Sequence, residues 1–178
     1  MHRTNHLRKV IFTGLFAAII FIGISLLRIP LPAIVGRPFI HFGNPLMVLA
    51  ILFLGGPLGF TASAIGLGGF DLLNGYAATS WLTVLECAVM AVVVSGMVKL
   101  LHQRLATKQL IVISVVAGIT KVITSYLVTL VEALMVGTSF KVAVVASFFS
   151  LTSAAVNAVA LVVIVPLLFP VLRRGIRR

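Results

Sequence analysis

Apolar residues in this chain come in long unbroken stretches, with no alternation between apolar and polar positions. Residues 10–27, 81–98, 110–136 and 142–172 are four such stretches, each reaching the roughly 18 residues that carry a helix across a bilayer. The last two are long enough to tilt or to extend into the interface. A fifth stretch, "NPLMVLAILFLGGPLGFTASAIGLGGF" (44–70), reads either as one kinked span or as two short ones.

Charge decides between them. Basic residues cluster at Arg3, Arg8 and Lys9, at Lys99, Arg104 and Lys108, and at Arg173, Arg174, Arg177 and Arg178. The positive-inside rule puts all three clusters in the cytoplasm, so an even number of crossings separates the first from the second. Residues 44–70 therefore cross twice. The predicted fold is an all-α integral membrane protein, one domain over 1–178 with both termini cytoplasmic. Its six helices run over about 9–27, 44–55, 57–71, 79–101, 109–136 and 142–172. The second and third are short, with "GGPLG" (55–59) as a tight turn between them. A helix over 45–54 is only about 15 Å long, half the hydrocarbon thickness, and must be sheltered by protein.

Composition agrees. Of 178 residues, 61% are hydrophobic and 10% charged, with a mean hydropathy of +1.23, far from the usual soluble mix. The net charge of +11 is explained by topology rather than by nucleic acid, because the basic residues sit at the ends of apolar runs. Residues 10–27 follow basic residues as a signal peptide would, yet the run is long and lacks a small-x-small exit, so it reads as a retained helix. Cys87 is the single cysteine and forms no internal disulfide.

With depth assigned, the polar residues fall into stripes. Lys121, Ser125 and Glu132 lie within about 40° of one another on the fifth helix, and Lys121 is roughly 18 Å along it, near the midplane. Thr79, Thr83 and Glu86 share a face of the fourth helix, and Ser150, Ser153 and Asn157 recur at helical spacing on the sixth. A lysine at the centre of a membrane helix costs about 2.5–3.5 kcal/mol on insertion scales, so it faces a partner or a wet cavity. Two readings of Lys121 stay open: a structural ion pair with Glu86 or Glu132, or the floor of a polar pocket for a small solute. Tyr126 serves equally as pocket lining or interfacial anchor. Trp81 fits the aromatic belt, while Asp71 and Asn74 in "GGFDLLNGY" fit loop and capping roles better than ligand roles. Arg28 and Arg37 are candidates for snorkelling.

The first outside loop, "RIPLPAIVGRPFIHFGN" (28–44), has three prolines and ends on Phe39, His41 and Phe42. Stiff and aromatic, it suits a lid over an outward-facing cavity. His41 has no second histidine or cysteine nearby at metal spacing, and no metal site is expected. The chain has no Walker A sequence, no G-x-S-x-G, no H-E-x-x-H and only three acidic residues, which disfavours an enzyme. A solute-binding membrane protein powered from elsewhere remains.

Residues 40–98 carry a His-x-Gly loop end ("HFG"), a short helix, the "GGPLG" turn, a Gly/Ala-rich helix and an Asp-containing exit. In this the chain resembles the S components, the substrate-binding subunits, of energy-coupling factor (ECF) vitamin transporters, in the branch of riboflavin-type proteins and their vitamin B6 and hydroxymethylpyrimidine relatives. The resemblance implies a subunit of an ABC-type importer in the bacterial plasma membrane. Its partners would be a transmembrane coupling subunit and two cytoplasmic ATPases, which use the ATP; no cofactor of its own is implied. It also implies that a small-x-x-x-small motif on the first helix docks the coupling subunit, here "GLFAA" with Gly14 and Ala18, the first small residue being Gly where many relatives have Ala. Small residues four apart do let helices approach closely, although packing within the chain is the alternative. The expected substrate-binding set is His41, Asn44, Thr83, Glu86, Lys121, Ser125, Tyr126, Ser153 and Asn157, with Phe39 and Phe42 on the lid. Such a site suits a small neutral or zwitterionic heterocycle, pyridoxine or hydroxymethylpyrimidine ahead of riboflavin. The rival of another class is a structural subunit whose polar stripes bury against partner helices.

Overall fold

The computed structural model describes the backbone of residues 2–30 and 39–176 and the side chains of 7–29 and 40–175. Arg37, Arg177, Arg178 and the side chains of Arg3 and Phe39 lie outside the described residues. The elements are α1 (His2–Leu26), β1 (Arg28–Pro30), β2 (Phe39–His41), α2 (Gly43–Leu54), α3 (Gly56–Ser63), a π-helical turn (Ala64–Gly68), α4 (Gly69–Leu73), α5 (Ser80–Leu100), α6 (Thr107–Met135) and α7 (Phe140–Ile176).

Among the described residues, four helices are long and apolar enough to cross a membrane: Leu7–Leu26, Ser80–Leu100, Thr107–Met135 and Phe140–Gly175. The ambiguous stretch resolves into α2 and a second rod made of α3, the π turn and α4. At about 1.5 Å per residue α2 is roughly 18 Å long and the second rod roughly 27 Å. Almost every residue of α2 is apolar, and Met47, Val48, Leu49 and Ala50 are wholly buried. A helix that is apolar all round belongs in the middle of a bundle, and α2 packs against α1, α3, α5 and α7. Phe16, Ile20, Phe70, Met90, Ile113 and Leu161 join it in one core. A stack of Phe16, Phe53 and Phe169, with centroids 5.9 and 4.7 Å apart, ties α1, α2 and α7 together.

The turn between α2 and α3 depends on two glycines. Gly55 has φ +82°, the left-handed region that glycine enters without penalty. A Cβ on Gly59 would stand 2.5 Å from the Ile51 Cα, so only glycine lets the two short helices fold back in contact.

Three features were not foreseen. Residues on either side of the first loop pair as an antiparallel ribbon, Arg28 opposite His41 and Ile29 opposite Ile40. The second rod contains the π turn, Ala64–Gly68. Helix α7 continues through Pro166 and Pro170. In a membrane bundle neighbouring helices and local adjustments accommodate the backbone groups that proline leaves unpaired.

Candidate substrate cavity

At the end of the bundle that carries the α4–α5 and α6–α7 loops, the helices splay around a cavity of about 570 Å³. Its wall is assembled from β2, α2, α4, the loop after it, α5, α6 and α7. His41, Asn44, Thr83, Glu86, Lys121, Ser125, Ser153 and Asn157 all line it. Tyr126, one position round α6 from Ser125, does not. Helical spacing aligns each stripe; the fold brings the three together.

Lys121 is 8% exposed, and its Nζ donates to Glu86 Oε2 at 2.7 Å. The Thr124 hydroxyl donates to the other oxygen, Oε1, at 2.5 Å. Both carboxylate oxygens are thereby engaged and the ammonium is neutralised, which is how a charge persists inside an apolar bundle. Of the two partners left open for Lys121, the structure selects Glu86 on α5. Glu132 stands roughly 16 Å farther along α6, where it lines the cavity with Thr79.

On the opposite wall, the backbone N–H of His41 donates to Asn157 Oδ1 at 3.0 Å, pinning β2 to α7. The Gly43 N–H donates to His41 Nδ1 at 3.1 Å, and the Asn44 side-chain amide lies 3.2 Å from Nε2. Burial, reinforced by the positive charge of Lys121, pushes the His41 imidazole down to about 3, so the ring is neutral. The Gly43 N–H and the Asn44 amide together hold both ring nitrogens in place.

Asp71 also stands in the cavity wall. Its context suggested a loop or cap, but it is buried at 7% exposure, lines the cavity and accepts a short hydrogen bond from Thr83. Phe70, just before it, is wholly buried under the Arg28 guanidinium, 5.0 Å from its ring, and stacks against Tyr76. Asn74 does cap locally, its amide donating to the Phe70 carbonyl at 2.9 Å. Thr129 and Ser150 complete the polar lining. The Ser150 and Ser153 hydroxyls donate back to the carbonyls of Ser147 and Ser150, which leaves their oxygens as acceptors toward the cavity.

Elsewhere, Phe42 is 41% exposed and Trp81 47%. Gly14 and Ala18 lie on the exposed side of α1, and a Cβ on Gly14 would meet nothing within 4 Å. The small pair is therefore not used for packing among the described residues.

A protein-family model described as "ECF-type riboflavin transporter, S component" matches residues 4–174. Among solved structures, one described as "Structure and mechanism of the S component of a bacterial ECF transporter" is similar over 97% of this chain and 99% of that one, with a TM-score of 0.73 at 18% identity. At that identity the likeness speaks to the fold. No curated protein matches the chain in sequence.

Proposed function

The chain belongs to the S component family of ECF-type riboflavin transporters, and from that premise we propose that it captures a small vitamin or vitamin precursor outside the cell. It hands the solute to a transmembrane coupling subunit driven by two cytoplasmic ATPases. The observation that carries this reading is the cavity itself: polar side chains from α5, α6, α7 and β2 converge on one space in a bundle that is otherwise apolar. A structural subunit would bury such side chains against partner helices; here they face each other across a volume inside the range of about 300–1,000 Å³ usual for small-molecule sites.

Basic residues at Lys99, Arg104, Lys108, Arg173 and Arg174 gather at the end of the bundle away from the cavity. The positive-inside rule then opens the cavity outward, with six crossings and both termini in the cytoplasm of a bacterium. We favour a small nitrogen heterocycle, pyridoxine or hydroxymethylpyrimidine, since the lining offers many hydrogen-bonding groups and Lys121 is already neutralised. A second reading, riboflavin, is favoured by the description of the matched family and by the size of the cavity.

The test is a titration of the purified protein, without partners, against a panel of B vitamins and precursors, followed by thermal shift and calorimetry. Nanomolar to low-micromolar binding of one compound is the expected outcome. Silence across the panel from folded protein would shift the assignment to a structural subunit.

A further inference from the structure

The chain has three acidic residues in all, and Asp71, Glu86 and Glu132 all line the cavity. Fourteen lysines and arginines are available, yet among the described residues lining the cavity Lys121 is the one cation. Its ammonium is held by Glu86 at 2.7 Å. The described lining therefore holds three carboxylates against one ammonium.

The two remaining carboxylates, Asp71 and Glu132, line the same cavity. Thr83 donates to Asp71, and Thr79, whose hydroxyl donates to the Tyr76 carbonyl at 3.3 Å, lines the cavity together with Glu132. Thr79 and Thr83 are successive residues on one face at the start of α5, about 6 Å apart along the helix. Hydroxyl donors reduce the cost of a buried carboxylate but do not cancel its charge. Below them lie a neutral His41, the amides of Asn44 and Asn157 and the serine oxygens of α7, which recognise a polar but uncharged group.

We propose that the ligand brings the missing charge: a small heterocycle bearing a protonated nitrogen, received between Asp71 and Glu132, with its uncharged polar end toward Lys121, His41 and Asn157. This rests on the solute-binding reading above and narrows it. A cation entering the site stabilises both carboxylates and is stabilised by them. A carboxylate or phosphate ester would add negative charge to a site whose described lining holds two carboxylates beyond the Lys121–Glu86 pair, so the same residues reject anionic forms of the same ring.

The experiment uses probes that differ in one substituent. Pyridoxamine, pyridoxine and 4-pyridoxic acid present an aminomethyl, hydroxymethyl or carboxylate group on one ring; hydroxymethylpyrimidine and its aminomethyl analogue form a second matched pair, and riboflavin is an uncharged comparison. Calorimetry on the full-length protein at neutral pH is expected to show the ammonium member of the binding series tighter than its hydroxymethyl counterpart by about tenfold or more. The carboxylate should be weakest. Glu132→Gln should bring the ammonium and hydroxymethyl compounds to within about threefold of each other. Asp71→Asn, which keeps an oxygen for Thr83, serves as the second variant if Glu132→Gln fails to fold. Equal or reversed affinities, or binding of riboflavin with both ammonium compounds silent, overturns the charge assignment while leaving the solute-binding subunit intact. Silence for every compound from folded protein overturns both.

Discussion

An ammonium group buried midway along a membrane helix is tolerated only while its partner stays in place, and that dependence separates a structural lysine from one that also binds ligand. Lys121 and Glu86 are each 10% exposed in their side chains. Removing either partner leaves an uncompensated charge, at a cost of about 3–5 kcal/mol for buried pairs. Replacing both by apolar residues of similar volume, Lys121→Met with Glu86→Leu, removes the pair without stranding a charge, and should restore much of the thermal stability lost in either single variant. Binding should not return with it, because the cavity floor has lost its polar groups. Thermal melts and ligand titrations of the three variants check this; recovery of both properties together would make the pair purely structural. The residues of this site were legible where helical periodicity governs: eight of the nine expected residues line the cavity. Tyr126 is one step, 100°, round the helix from Ser125 and is not among the residues lining the cavity. Asp71 was hidden because its neighbours are loop-forming residues, and its place in the cavity wall beside Thr83 depends on tertiary packing that no local pattern encodes.

At the scale of elements, the short helices are the unusual part of the bundle, and their geometry hinges on one turn. Gly59 packs on the backbone of α2, with Ile51 Cα and N both within 2.8 Å of where a Cβ would sit. Backbone cannot swing aside as a flexible side chain can. Gly59→Val should therefore destabilise the protein by about 1–3 kcal/mol, read as a lower melting temperature. Gly14→Val, on a surface where a Cβ meets nothing, should leave the melt unchanged. Equal melts for the two variants would show that α2 and α3 are not held in contact. That this turn exists could be read from "GGPLG" and from the even count of crossings that the charge clusters demand. The paired strands and the π turn could not: three-residue strands have no periodicity to detect, and a π turn arises when one residue too many must fit between fixed packing contacts. Here those contacts are made by Phe70 and Gly66 with α1 and the core, which no local pattern encodes.

For the whole molecule, the decisive contrast is between the face of α1 that enters the core and the face that does not. Phe16, Ile20 and Ile24 are buried, whereas Gly14, Leu15, Ala18, Ile19 and Ile22 face outward. Lipid alone does not require small residues on an exposed helix, since Leu or Ile would satisfy it equally well. A helix of another protein does, because small residues four apart let two backbones approach and gain van der Waals contact that lipid chains cannot match. If this face docks the coupling subunit, bulky residues there should leave the isolated protein untouched and cripple the assembly. Gly14→Leu with Ala18→Leu is expected to melt and bind ligand as the unaltered protein does, while co-purification with the coupling subunit and ATPases falls by about tenfold or more, equivalent to the loss of 1.4 kcal/mol of association energy. Uptake in reconstituted vesicles should fall in parallel. Intact co-purification with lost uptake would move the small pair from docking to a later step of transport. Intact co-purification with intact uptake would mean that the exposed glycine and alanine face nothing but lipid, and that the coupling subunit grips a different helix.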